Sequence, residues 1–96
     1  MNIERIEQRH NFLWESKIIR LKVNGILNDI QTVRDILDAH DVHISDEYMK
    51  YDYNNQLTII NFMVRSKSNV DVPALFGEIK DKSNAVSITI TNEMNM

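Results

Sequence analysis

Residues 17–25, KIIRLKVNG, decide the fold. Ile19, Leu21 and Val23 alternate with Ile18, Arg20 and Lys22, a period of two that sends the first set to one face of a strand and the second to the other. Asn24-Gly25 stops the strand. Downstream, Ile30, Val33, Ile36 and Leu37 fall at helical spacing, with Asn28 placed to cap the helix, Asp29 in its first turn and His40 in its last. A second strand begins at Val42 and Ile44. Met49, Tyr51 and Tyr53 continue it in the opposite parity, which predicts a bulge near Asp46 and Glu47. Asn54 and Asn55 both tolerate positive φ and predict a tight hairpin into a third strand from Gln56 to about Arg65.

The second half repeats the order. After Lys67-Ser68-Asn69, Asp71 can cap a helix with Pro73 in its first turn and Leu75, Phe76 and Ile79 on its buried side. Val86, Ile88 and Ile90 then alternate with Ser87, Thr89 and Thr91 in a last strand. This order predicts an α+β, ferredoxin-like β-α-β-β-α-β domain over residues 17–92. Its four-stranded antiparallel sheet, in spatial order four, one, three, two, carries both helices on one face. Upstream, Ile3, Ile6, Leu13 and Trp14 share one helical stripe, so residues 1–16 read as a short helical or flexible connector.

Composition bounds what such a domain can do. The chain has 96 residues, 43% hydrophobic and 26% charged, with two Gly, one Pro and no Cys, which suits one small, regular domain. Without cysteine there is no thiol nucleophile, iron–sulfur cluster or thiolate zinc site. The formal net charge of −3 gives no whole-molecule attraction for nucleic acid, although it leaves room for a local basic patch. No stretch approaches the roughly 20 apolar residues of a membrane helix.

Each activity known on this fold needs its own site residues. An RNA-recognition sheet needs aromatics on its two central strands, and KIIRLKVNG offers none, so nucleic acid is not expected as a partner. A phosphate-cradling loop needs a cation after the first strand, and VNGILNDI has none. Asp38, His40, Asp41, His43, Asp46 and Glu47 crowd one helix-to-strand junction. Alternate strand residues point to opposite faces, so this spacing does not converge on a metal, and no cofactor is expected. The three Tyr and the single Trp read as packing residues. The uncovered sheet face is the more informative surface. It presents Ile18, Tyr48, Ile59 and Met63 among Arg20, Lys22, Lys50 and Asn61, a mixture suited to a weak homodimer.

Val23-Asn24-Gly25-Ile26-Leu27-Asn28-Asp29-Ile30, with the polar step Asp38-Ala39-His40-Asp41 into Val42-His43-Ile44, resembles an ACT domain over about residues 17–91. That resemblance implies that Asn24, Gly25, Ile26, Leu27 and Asn28 would grip a ligand if the domain is a free-standing amino-acid sensor. Asn24 stands where the family more often has Asp-Pro. A narrower similarity is to the cytoplasmic C-terminal domain of the MgtC/SapB family of bacterial membrane proteins, carried by IERIEQR, IIRLKV and the ending Ala85-Val86-Ser87-Ile88-Thr89-Ile90. It implies a non-enzymatic regulatory or self-associating cytoplasmic module. The transmembrane part would lie upstream in a bacterial inner-membrane protein linked to magnesium homeostasis.

Overall fold

A computed structural model describes residues 13–25 and 30–92 of the chain. Strand β1 spans Trp14–Asn24, helix α1 Gln31–Ala39, β2 His43–Asp52, β3 Leu57–Lys67, α2 Val72–Lys82 and β4 Ala85–Asn92. All strand pairs are antiparallel, and the sheet order is β2-β3-β1-β4. The alternation in KIIRLKVNG appears directly as burial: Ile19, Leu21 and Val23 are at most 2% exposed, while Arg20 is open. Ile19 and Leu21 lie beside Phe62 and Ile60 on β3, and this row packs under Val33, Ile36 and Leu37 of α1 and Leu75 and Ile79 of α2. Both helices therefore share one core on one side of the sheet.

Several local readings need correction. β1 starts at Trp14, three residues before the periodicity gives, because Trp14, Glu15 and Ser16 pair with Lys67, Ser66 and Arg65. That ladder satisfies backbone groups which a short, thinly amphipathic helix would have to satisfy without packing support. The rest of the expected N-terminal helix lies outside the described residues. At α1 the cap position is Ile30, whose side chain accepts nothing, rather than Asn28, and no acidic residue lies in the first turn. Asn28 and Asp29 themselves lie outside the described residues.

The β2–β3 hairpin pairs as its parity requires, Met49 with Ile60 and Tyr51 with Thr58, and the register shifts between Ile44 and Asp46. Its turn is longer than expected. Tyr53–Gln56 form the loop, and the left-handed residue is Gln56 at φ 55° rather than either asparagine. Asp52 organises it, its carboxylate accepting from the Asn54 and Asn55 N–H groups at 3.1 and 3.3 Å. At α2 the Asp71 carboxylate accepts from Ala74 N–H at 3.1 Å, and Pro73 sits in the first turn.

Candidate functional site

Two places could carry function: the loop after β1 and the uncovered sheet face. Gly25 needs its glycine, at φ +72°. Its N–H donates to the Gln56 carbonyl at 2.8 Å, and its own carbonyl accepts from the Thr58 hydroxyl at 2.5 Å. Both backbone groups of Gly25, the second residue of the expected ligand loop, are thus committed to β3 and the hairpin. Asn24 ends β1 opposite Leu57, exposed. Ile26, Leu27 and Asn28 lie outside the described residues.

The crowded junction resolves into separate structural roles. Val42 N–H donates to Leu37 O at 2.9 Å and Asp41 N–H to Asp38 O at 3.0 Å, with Asp41 at φ 59°. This is a Schellman ending for α1 with Asp41 in the left-handed position. His40 at the helix end meets Glu78 of α2, Nε2 to Oε1 2.7 Å, and Lys82 reaches the other Glu78 oxygen at 3.0 Å. His40 first, then Lys82, hold the Glu78 carboxyl below its ordinary range. Arg34 grips Glu47 with two nitrogens, Nε donating to Oε1 at 3.1 Å and Nη2 to Oε2. The guanidinium lowers the Glu47 pKa, and the carboxylate raises that of Arg34. His43 leans on the Trp14 ring, centroids 5.3 Å apart. Asp46 Oδ1 accepts from the Glu47 N–H at 2.9 Å. Among the described residues no three or more His, Asp or Glu side chains gather as a metal set.

The uncovered face is set by strand parity. Across it run Trp14, Ile18, Arg20 and Lys22 of β1, Ile59, Asn61, Met63, Arg65 and Lys67 of β3, and Tyr48 and Lys50 of β2. Tyr48 and Met63 are open, 63% and 41% exposed, and Ile18 is half-buried. Ile59 departs from expectation. It lies directly between its cross-strand partners Lys22 and Lys50, whose long stems flank it, and only 6% of it is exposed. Ile18, Tyr48, Asn61 and Met63, with Asp46 and Glu47, line a shallow depression of about 180 Å³.

Trp14, read from the sequence as packing in a helix, stands 45% exposed at one end of this face. Arg65 and Lys67 place their charges 5.9 and 5.8 Å from its ring centre. Sequence reading missed this cluster because it ended the first strand at Lys17. Continuing the alternation back through Ser16 to Trp14 would have found it.

No protein-family profile matches the sequence, and no curated protein matches it. Solved structures do. An unknown protein from Galdieria sulphuraria aligns with a TM-score of 0.70 at 7% identity, covering 88% of this chain and 48% of that one. A formyltetrahydrofolate deformylase from Burkholderia mallei aligns at 0.63 with 15% identity, covering 81% of this chain and 28% of its own. An uncharacterized protein from Thermotoga maritima aligns at 0.62 with 13% identity, covering 85% of this chain and all of its own. At these identities the likeness is one of fold. The chain spans about half of the Galdieria protein and 28% of the deformylase. The class is an α+β domain of β-α-β-β-α-β order, a four-stranded antiparallel sheet with two helices. Among the described residues, no helix is long and apolar enough to cross a membrane.

Proposed function

We propose that this chain is a non-enzymatic regulatory module that works by self-association through the free edge of β4, carried on a membrane protein of the MgtC/SapB type linked to magnesium homeostasis. The supporting observation is the edge itself. Among the described residues β4 pairs only with β1, and its eight residues, AVSITITN, contain no charge and no proline, the devices by which edge strands usually refuse partners. The opposite edge, β2, has Asp46, Glu47, Lys50 and Asp52 and a bulge. Two copies joined at β4 would continue one sheet across the dimer axis. The open face suits this role less, because Ile59 is buried and two such faces would set lysines and arginines against one another. The sensor alternative at residues 24–28 loses support from the commitment of both Gly25 backbone groups.

The membrane parent rests on the resemblance of IERIEQR, IIRLKV and the β4 sequence. There, tethering in the inner membrane would raise the local concentration and convert a weak edge contact into a populated pair. Sedimentation velocity from tens of micromolar to about 1 mM tests the association, on the wild type and on Thr89→Lys with Thr91→Lys. A monomer–dimer exchange lost in the lysine variant is expected. A monomer throughout refutes the reading, and a dimer indifferent to the lysines moves the interface elsewhere. A reading frame upstream of Met1 coding for several apolar helices is the expectation for the parent.

A further inference from the structure

We propose that the uncovered sheet face binds single-stranded nucleic acid, with Trp14 and Tyr48 as stacking platforms and Arg20, Lys22, Lys50, Arg65 and Lys67 as phosphate contacts. The first support is charge segregation. Of the nine lysines and arginines among the described residues, these five share one face, whereas only Asp46 and Asp52 of the ten carboxylates do. The face is therefore net positive on a chain whose formal charge is −3. The pairing pattern sharpens this. Off the face, three of the four cations, Lys17, Arg34 and Lys82 but not Lys80, are ion-paired with a glutamate. None of the five cations on it has a carboxylate within ion-pairing distance among the described residues, Asp52 acting on Lys50 only from farther away. Unpaired cations gathered on one surface form the electrostatic footprint of a polyanion site.

The second support is the distribution of flat rings. Trp14 and Tyr48 are both open; Trp14 lies at one end of the face, paired with Lys67, and Tyr48 near its middle, paired with Asn61, six positions along β3. At about 3.3 Å per residue the two rings stand some 20 Å apart along the strand direction, a few nucleotides of extended strand. Between them lies the depression of about 180 Å³ walled by Ile18, Met63 and Tyr48, with Asn61, Asp46 and the Arg34-paired Glu47 completing its lining. A recess with apolar walls and an amide receives a base and offers hydrogen bonds to its edge. On this face Ile18 is half-buried and Ile59 buried while Trp14, Tyr48 and Met63 stand open, so titration with vesicles is the arm that separates a membrane surface from a nucleic-acid one. The expectation of no nucleic acid rested on the formal charge of −3 and on central strands without stacking aromatics; the second ground changes at β1, which begins with Trp14.

Trp14 is the chain's only tryptophan, so its fluorescence reports on the face directly. The full chain is titrated at about 50 mM salt with mixed-sequence 12-nucleotide single strands, with heparin, and with vesicles rich in anionic lipid. Expected is saturable quenching by the oligonucleotide in the range of about 1–100 µM. Five phosphate contacts at most give a slope of log K against log salt between about −2 and −3.5. Arg65→Glu with Lys67→Glu should weaken binding at least about tenfold, and Lys80→Glu on α2 should leave it unchanged, circular dichroism confirming the fold of each. Three results overturn the proposal: no quenching by the oligonucleotide, heparin binding equally tightly with the same charge-reversal effect, or a Trp14 response to vesicles alone.

Discussion

Gly25 and Gly77 invite the same substitution with opposite consequences. An alanine Cβ would meet nothing within 4 Å at either position, so sterics with neighbours do not distinguish them. Backbone conformation does. Gly77 is an interior residue of α2, where alanine is preferred by about 0.8–1 kcal/mol, whereas Gly25 sits at φ +72°, where an L-residue pays about 1–2 kcal/mol against its own carbonyl. Both substitutions remove similar freedom from the unfolded chain, so the difference between the two variants isolates the cost of the left-handed conformation. Gly77→Ala should stabilise by about 0.5–1 kcal/mol, and Gly25→Ala should destabilise by about 1 kcal/mol. For a domain of this size each kcal/mol moves the melting temperature by about 4–8 °C. Urea titration followed by Trp14 fluorescence, with thermal melts by circular dichroism, gives both numbers. A stabilising Gly25→Ala would show that the turn does not need positive φ there. A destabilising Gly77→Ala would mean that this side of α2 is covered by a partner.

Other perturbations separate packing, capping and charge. Phe62→Ala, on a central strand and fully buried, should cost about 3–5 kcal/mol in chemical denaturation. Ser66 is fully buried and its hydroxyl has no hydrogen-bond partner among the described residues, so Ser66→Ala should be neutral or raise stability by up to about 1 kcal/mol. Asp71→Ala removes the α2 cap and should cost about 1 kcal/mol. Glu47, Asp52 and Glu78 all have lowered pKa values in the folded chain. The unfolded chain therefore binds protons first on acidification, and the stability these groups contribute, complete above their ordinary values, is lost as pH falls through the folded ones. Melting temperatures between pH 6 and 2 should show this fall, and Glu78→Gln should flatten part of it.

What the sequence revealed follows the range of the interactions involved. The alternation in residues 17–23, the parity change in the second strand and the Asp71 cap are local patterns, and each appears where the sequence puts it. In the last strand Ile88 and Ile90 pack on the core as their alternation requires, but a register shift opposite Lys22 and Val23 leaves Val86 54% exposed and gives its place to Ala85. What stayed hidden depends on partners far along the chain. Trp14 joins a strand because Lys67 is opposite, and Gly25 is committed by Gln56 and Thr58, more than 30 positions away. The acidic junction misled for a related reason. Its members were close in sequence, but Glu78, Arg34 and Trp14 drew them apart. The unpaired state of the face cations depends on where each carboxylate goes, which parity alone does not give.

The extra residue at Ser45 has an evolutionary corollary. Its neighbours Ile44 and Asp46 face consecutive partners, Val64 and Met63, so the chain carries one more residue here than the ladder uses. Removing codon 45 in frame would leave every other pair of β2 in place and sacrifice chiefly the hydroxyl bond from Ser45 to the Met63 carbonyl. Removing codon 49 instead would turn the hairpin end of β2 inside out, sending Lys50 toward the helices and Tyr51 to the cationic face. Length variation among descendants of this sequence is therefore predicted to accumulate at position 45 and to be purged from the regular stretch between Glu47 and Asp52.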